Sequence, residues 1–390
     1  MMYICKKAFE MLIHITLVGG QTAPVYSGII HSGAEKVYLV CSRQSRREAE
    51  RIADTVSNPC DVIELPPTDV SAIFIEVKKL REDLGEIAPL SLNLVGGTKT
   101  WSLVFYSVFR DRPNTTVELV DQNNRIWDFN SQTGEDLPPI DIDTVFRLYG
   151  NPLVRSRLFS DYTWDDLEVA NKVRSVRLRW YPLFNSLTTT LSENWSSSLE
   201  RDQSGLFSMD DDNYVSWDKD AGYVELALSK RNGLNAAVYS FSSPRAVQVV
   251  FNCGWFELMI AESFSTWKRA KDIRLNCLFP VSADKDANIK NEVDVVVSTG
   301  KRLLFVECKT QLFRGVDVDK FASVVKHYGG MGTKGILVSD MPLAPQAVQK
   351  CKDYGLLHFS LKDHISPTNP VLWKRMLLEY VESEIESINK

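Results

Sequence analysis

Seven cysteines are scattered through 390 residues (Cys5, Cys41, Cys60, Cys253, Cys277, Cys308 and Cys351), and none stands in a CxxC pair. An odd, dispersed set excludes a disulfide framework and a zinc ribbon, and favours a reducing cytoplasm. No stretch approaches the roughly 18 uncharged apolar residues of a membrane span. The apolar run Met11 to Gly20 leads directly into a glycine-rich loop and reads as a buried strand. The lysines ahead of it precede no small-residue cleavage site, so the expectation is a cytoplasmic protein without a secretory leader. Internal repeats, low-complexity tracts and the GxxxxGK[ST] loop of triphosphate sites are also missing. What remains is an ordinary globular composition, 44% hydrophobic and 24% charged, in a chain long enough for two or three domains.

The net charge of −5 is unevenly shared. From residue 241 onward there are 20 Lys and Arg against 17 Asp and Glu; before it there are 25 against 33. The C-terminal part therefore carries the mild basic excess, which only weakly favours a polyanionic partner there.

Residues 1–150 read as an α/β domain. Leu12 to Val18, Val37 to Cys41, Ser91 to Val95 and Thr116 to Val120 are short β-branched runs, apolar throughout. Continuous rather than alternating hydrophobicity marks strands buried on both faces. Helical stretches such as Ser45 to Thr55 and Val70 to Leu84 supply the crossovers of a parallel, Rossmann-like sheet. Turn chemistry over Asn130 to Asp143 closes the domain. Residues 151–240 form a connecting segment, with a helix from Thr163 to about Ser192, the acidic run Asp210 to Asp212 and a hairpin of Tyr214 to Trp217 with Tyr223 to Leu228. Residues 241–390 resume with a long helix (Ala246 to Lys268), a strand near Ile273 to Phe279, a hairpin, a helix (Val318 to His327) and a strand (Gly335 to Val338), an αβββαβ order. A further strand and a glutamate-rich amphipathic helix follow Tyr354.

The hairpin carries the strongest chemical signal. Glu292 to Val297 and Arg302 to Lys309 are apolar strands that nonetheless contain Asp294, Glu307 and Lys309. A four-residue loop, Ser298 to Lys301, sets Val297 opposite Arg302 and Asp294 opposite Phe305, which makes Glu307 the diagonal same-face neighbour of Asp294 at about 7–8 Å. Period-two alternation adds Lys309 to that face. Two carboxylates and an ammonium among apolar neighbours are costly unless a cation neutralises the pair. Mg²⁺ or Mn²⁺ suits such oxygen ligands, with the Cys308 carbonyl available as a further one, and a bound ion would acidify water for attack on phosphorus. The bland alternative is a surface ion pair of little energetic weight.

Over roughly residues 244 to 340 this arrangement resembles the PD-(D/E)xK phosphodiesterases of restriction-type nucleases, with Asp294 as the first acid and Glu307-Cys308-Lys309 as the E-x-K element. The resemblance implies metal-dependent cleavage of nucleic acid. It also implies that Glu257, on the preceding helix, completes the metal site, and that Gln311 assists. The family's proline is absent, since Val293 precedes Asp294.

A second signal lies in the first domain. Asn93 to Thr100, with Gly96-Gly97-Thr98-Lys99, follows a strand and opens a helix, the setting in which backbone amides and a helix N-terminus hold an anion. The loops containing Gly20, Gln21 and Thr22, and Ser42 and Arg43, follow the first two strands, so all three lie at carboxyl ends of parallel strands, where open α/β sheets bind ligands. Turn glycines without a ligand are the plain alternative. Together these residues resemble the CRISPR-associated Rossmann-fold (CARF) sensor domain, whose G-G-T-K turn binds cyclic oligoadenylate at a dimer interface. With an E-x-K nuclease behind it, the chain resembles the ancillary nucleases of type III CRISPR systems. That resemblance implies a homodimer, cyclic tetra-adenylate as activator, and cutting of DNA, RNA or both. The competing readings are an ungated restriction or repair endonuclease and a catalytically silent nucleotide sensor.

Overall fold

The computed structural model describes residues 11–387 apart from 122, 188–201, 231–235, 252, 281–288, 311–314, 331–332, 365–368 and 370. The chain forms two compact units, one of residues up to Leu153 together with 279–280 and Thr299–Arg302, the other of the remaining residues from Val154 onward.

The first unit holds β1 (Ile13–Leu17), α1 (Thr22–Ser32), β2 (Lys36–Cys41), α2 (Arg46–Thr55), β3 (Cys60–Glu64), α3 (Val70–Leu84), β4 (Leu90–Asn93), α4 (Lys99–Phe109), β5 (Thr115–Val120), β6 (Arg125–Asp128), β7 (Thr133–Asp136) and α5 (Ile142–Leu148). Its sheet runs β3-β2-β1-β4-β5-β6-β7, parallel from β3 to β5 and antiparallel over the last two strands. The chain leaves β1 in one direction and returns to β4 on its other side, so the sheet's switch point falls between β1 and β4. Ile13, Ile15 and Leu17 pack into the core with Ile73, Val77, Trp101 and Phe105 of α3 and α4, whereas Val37, Leu39 and Cys41 of β2 share the opposite cluster with Val25, Ile29 and Ile52 of α1 and α2. The polar stretch 130–143, expected to close the domain as turns, instead carries β7, which extends the sheet through pairing with β6.

The second unit holds β8 (Arg155–Leu158), α6 (Trp164–Trp180), β9 (Ser204–Ser208), β10 (Tyr214–Asp218), β11 (Tyr223–Leu228), β12 (Ala237–Ser242), α7 (Ala246–Val250), α8 (Gly254–Ser265), β13 (Asp272–Pro280), β14 (Ile289–Ser298), β15 (Leu303–Lys309), α9 (Gly315–Tyr328), β16 (Lys334–Ser339), α10 (Pro345–Tyr354), β17 (Leu357–Ser360) and α11 (Leu372–Ser387). The six-stranded sheet runs β17-β16-β15-β14-β13-β8; the four antiparallel strands β12-β11-β10-β9 form a second sheet. Val173 of α6 and Trp217 and Val224 of the small sheet share one apolar core with Phe256, Val295 and Val306, so α6 and the small sheet belong to this unit's interior rather than to a bare connection.

Two helix boundaries differ from expectation. α6 ends at Trp180 because Pro182 disfavours helical backbone in the residue before it and cannot donate to the ladder. The long helix expected over 246–268 is broken between α7 and α8. Cys253 has a left-handed φ of 63°, and a Cβ on Gly254 would sit 2.2 Å from the Gln248 carbonyl, which only glycine permits.

Candidate nuclease centre and sensor site

The hairpin closes one residue later than expected. Ser298 pairs with Leu303, Val297 with Leu304 and Val295 with Val306, leaving Thr299 to Arg302 as the loop. Gly300 takes φ 78° there, and the Thr299 hydroxyl accepts from the Arg302 amide at 3.0 Å. One step along this register sets Asp294 opposite Glu307 rather than opposite Phe305. Extended by one residue past its last pair, that register keeps Asp294 and Glu307 on one face and makes them opposed rather than diagonal neighbours.

Asp294 is buried, and its Oδ2 accepts from the Cys308 amide at 2.7 Å. Lys309 Nζ lies 2.7 Å from Glu307 Oε1. Glu257, in the first turn of α8 and also buried, accepts from Asn276 Nδ2 at 2.9 Å; the same amide nitrogen lies 3.5 Å from Glu292 Oε1. Glu292 and Asn276 were not expected from the sequence. Gln311 lies outside the described residues.

The electrostatics follow from crowding like charges away from water. Burial, then Glu292, pushes the Glu257 carboxyl up to about 8. Burial, with Glu307 and Glu257 adding to it, raises Asp294 well above the carboxylate range. Glu307 is raised by burial even though Lys309 pulls it down, and Lys309 is raised because Asp294 and Glu307 outweigh burial's downward pull. Lys309 pulls down Glu257, Asp294 and Glu307 alike, and burial outweighs it at each of them. Among the described residues no three His, Cys, Asp or Glu side chains are gathered as one metal-ligand set. Mg²⁺ typically takes one or two carboxylates and completes its shell with water and substrate, so Asp294 and Glu307 with the Cys308 carbonyl fit its demands.

This strand end is braced from α6. Arg177 forms a buried ion pair with Asp340, the residue just after β16, and donates to the Thr310 carbonyl at 2.8 Å and to Asn185 Oδ1 at 3.1 Å. Its guanidinium also lies 5.6 Å from the Trp255 ring of α8. The residue after Lys309 and the helix of Glu257 therefore meet a common cation.

In the first unit the loops after β1 and β4 pack glycine against glycine. A Cβ on Gly96 (φ 83°) would sit 2.5 Å from the Leu17 carbonyl, and one on Gly19 would lie 3.0 Å from the Gly97 amide nitrogen. Thr98 caps α4 by accepting from the Trp101 amide at 3.2 Å. The loop after β3 joins as well, since Trp101 Nε1 donates to the Pro66 carbonyl at 2.9 Å. Gly20, Gln21, Arg43, Gly97 and Lys99 are exposed at these carboxyl ends. Thr22 and Ser42 are buried, and their hydroxyls are engaged inside the protein: Thr22 donates to the Leu148 carbonyl at 3.2 Å, and Ser42 lies 3.3 Å from Ser45 Oγ. Ser45 in turn donates to the Val18 carbonyl at 2.9 Å, tying the loop after β2 to the loop after β1.

Residues 13–136 match the Card1 CARF domain family and residues 245–364 the Card1-like endonuclease domain family. Over 128 residues the chain is 30% identical to the CRISPR system endoribonuclease Csm6 of Thermus thermophilus, a match covering 32% of this chain and only 27% of that longer protein. Among solved structures, protein VC1899 of Vibrio cholerae superposes with a TM-score of 0.71 at 18% identity, over 96% of this chain and 99% of its own. Can2 of Sulfobacillus thermosulfidooxidans, solved with cyclic tetra-adenylate, gives 0.64 at 17% over 96% and 99%. A type III CRISPR defence DNA nuclease activated by cyclic oligoadenylate gives 0.54 at 16% over 86% and 47%. At these identities the structural matches establish the fold.

Proposed function

The chain belongs to the CARF-fused ancillary nucleases of type III CRISPR systems, and on that footing we propose that it is a metal-dependent nuclease switched on by cyclic tetra-adenylate and acting as a homodimer. The observation that carries the reading is the buried Asp294 held by the Cys308 amide at 2.7 Å, with the flanking residues Glu307 and Lys309 ion-paired to each other at 2.7 Å. Asp294, Glu307 and the Cys308 carbonyl are the groups that would hold Mg²⁺ or Mn²⁺, with Glu257 contributing further negative charge. When bound, such an ion supplies charge neutralisation at phosphorus and an acidified water. Lys309 holds an ammonium where negative charge builds during phosphodiester cleavage, and the Cys308 amide keeps Asp294 from rotating away.

In the sensor domain the Gly96 and Gly97 amides, the α4 N-terminus and Lys99 are suited to the phosphates of a cyclic oligoadenylate, with Gln21 and Arg43 beside them. Can2 was solved with cyclic tetra-adenylate, which favours that ring size. The messenger has to bind the active arrangement more tightly than the resting one, since equal affinity shifts nothing. The test is cleavage of single-stranded RNA, single-stranded DNA and supercoiled plasmid with Mn²⁺ or Mg²⁺, with and without cyclic tetra- or hexa-adenylate. Cutting that requires both metal and cyclic tetra-adenylate is expected. Metal-dependent cutting indifferent to either messenger would overturn the gating and leave an ungated endonuclease.

A further inference from the structure

β13 is irregular where it passes the nuclease centre. Against β8 its register advances from Leu275 opposite Arg157 to Leu278 opposite Arg155, three residues against two, so β13 carries one residue more than its partner. Asn276 lies within that bulge with φ 50°, a left-handed backbone that costs a non-glycine residue free energy and is rare inside a strand. Left-handed conformations at such a position persist where the surroundings over-determine them. Asparagine is among the few residues that visit this region routinely, and here its side chain is used: Nδ2 donates to Glu257 Oε2 at 2.9 Å and lies 3.5 Å from Glu292 Oε1. Both partners are carboxylates, so the amide nitrogen, not the oxygen, faces them. A regular strand would carry no surplus residue here, and the bulge frees this one for that contact.

We propose that Asn276 is a positioning residue of the nuclease centre. The bulge aims its carboxamide so that one Glu257 oxygen is fixed and the other is presented in a constant direction, while its N–H density separates Glu257 from Glu292. The proposal rests on the nuclease reading above and adds a residue that neither motif contains. Bulges beside active sites commonly re-aim a side chain in this way, and removing the partner of a metal-site carboxylate typically weakens metal affinity or activity by about 10- to 100-fold.

The alternative is that the bulge only bends the sheet and that the side chain is incidental. Asn276→Gly separates the two, because glycine adopts φ 50° without strain but offers no carboxamide. Full-length wild type, N276G, N276A and E257Q are compared by thermal melting without metal, by Mn²⁺ titration calorimetry, and by cleavage rate against Mn²⁺ concentration at saturating cyclic tetra-adenylate. N276G is expected to melt close to wild type and bind Mn²⁺ about tenfold more weakly. Its half-saturating Mn²⁺ concentration for cleavage should rise to match, with a maximal rate within a few-fold of wild type. N276A should add a loss of melting temperature to the same metal defect. N276G with wild-type Mn²⁺ binding and an unshifted Mn²⁺ dependence would overturn the proposal and leave the bulge a structural device. Wild type that neither binds Mn²⁺ nor cuts would instead sink the nuclease reading, and unaltered E257Q would remove Glu257 from the centre; either result withdraws the role of Asn276 with it.

Discussion

Glu257 should make the metal-free protein less stable at neutral pH, and by a calculable amount. Its carboxyl is buried and titrates near 8 in the folded chain, against an ordinary value of 4.5 when the chain unfolds. A carboxyl raised in this way holds its proton longer in the native state than in the unfolded one. Its contribution is therefore fully favourable below pH 4.5 and is lost as pH rises from there to about 8. At pH 7 the loss is about 3 kcal/mol, from roughly 1.4 kcal/mol per pH step over the interval already crossed. Glu257→Gln keeps the size and the acceptor for Asn276 but removes the ionisation. In EDTA at pH 7 the variant's second unit should melt higher by roughly 6–12 °C, taking about 2–4 °C per kcal/mol for a domain of this size. The gain should shrink towards pH 4.5 and plateau above pH 8. Differential scanning calorimetry across that range, without metal, reads both the sign and the pH dependence. Saturating Mn²⁺ should narrow the gap, because the cation stabilises the ionised wild type more than the amide. A variant that melts lower than wild type at pH 7, or by an amount indifferent to pH, would refute the picture of Glu257 as a carboxyl held against its preference.

Three further expectations follow from other contacts. Arg177→Met leaves Asp340 buried beside the more distant Arg174 at 3.9 Å, so calorimetry should show the second unit destabilised by about 3–5 kcal/mol; R177M/D340L, with no stranded charge, should lose less than R177M alone. Gly96→Ala drives a methyl to 2.5 Å from the Leu17 carbonyl at φ 83°, and should weaken cyclic tetra-adenylate binding in titration calorimetry while leaving the second unit's melting unchanged. Glu307→Ala should abolish cutting and spare messenger binding, whereas Lys99→Ala should raise the messenger concentration needed for half-maximal cutting by on the order of tenfold, the loss of one charge-assisted contact, and cut normally at saturation. Equal loss of both properties in either variant would count against separate sensing and cutting sites.

What the sequence discloses depends on whether a residue's role follows from periodicity. Asp294, Glu307 and Lys309 are conspicuous because charged side chains interrupt apolar strands, and period-two alternation assigns them one face as long as the loop keeps four residues. Their separation is not, since it depends on whether Ser298 or Thr299 opens the loop, and that is settled by a hydroxyl contact and the backbone of Gly300. The buried parallel strands β1, β2, β4 and β5 are legible as unbroken apolar runs. α1 is not, because Pro24 and Gly28 obscure it; glycine suits position 28 because a Cβ would meet the Asn93 side-chain Nδ2 at 2.0 Å.

The same distinction explains why the nuclease centre was half visible. Glu257 came from a resemblance and not from pattern, for a glutamate in the first turn of a helix is as often a plain response to the helix dipole. Asn276 and Glu292 gave one faint signal each, an asparagine in the middle of an otherwise alternating strand and an acid at a strand's start, and neither points to the other until the bulge brings them together. A regular strand obeys alternation and can be read forward from its residues. A bulge breaks alternation at one point, and an asparagine marks that point only faintly, because the contacts that use it are tertiary, to Glu257 of α8 and Glu292 of β14. Positioning residues that depend on such irregularities are therefore the part of an active site that sequence pattern is least able to supply, even where the charged residues they serve are plain.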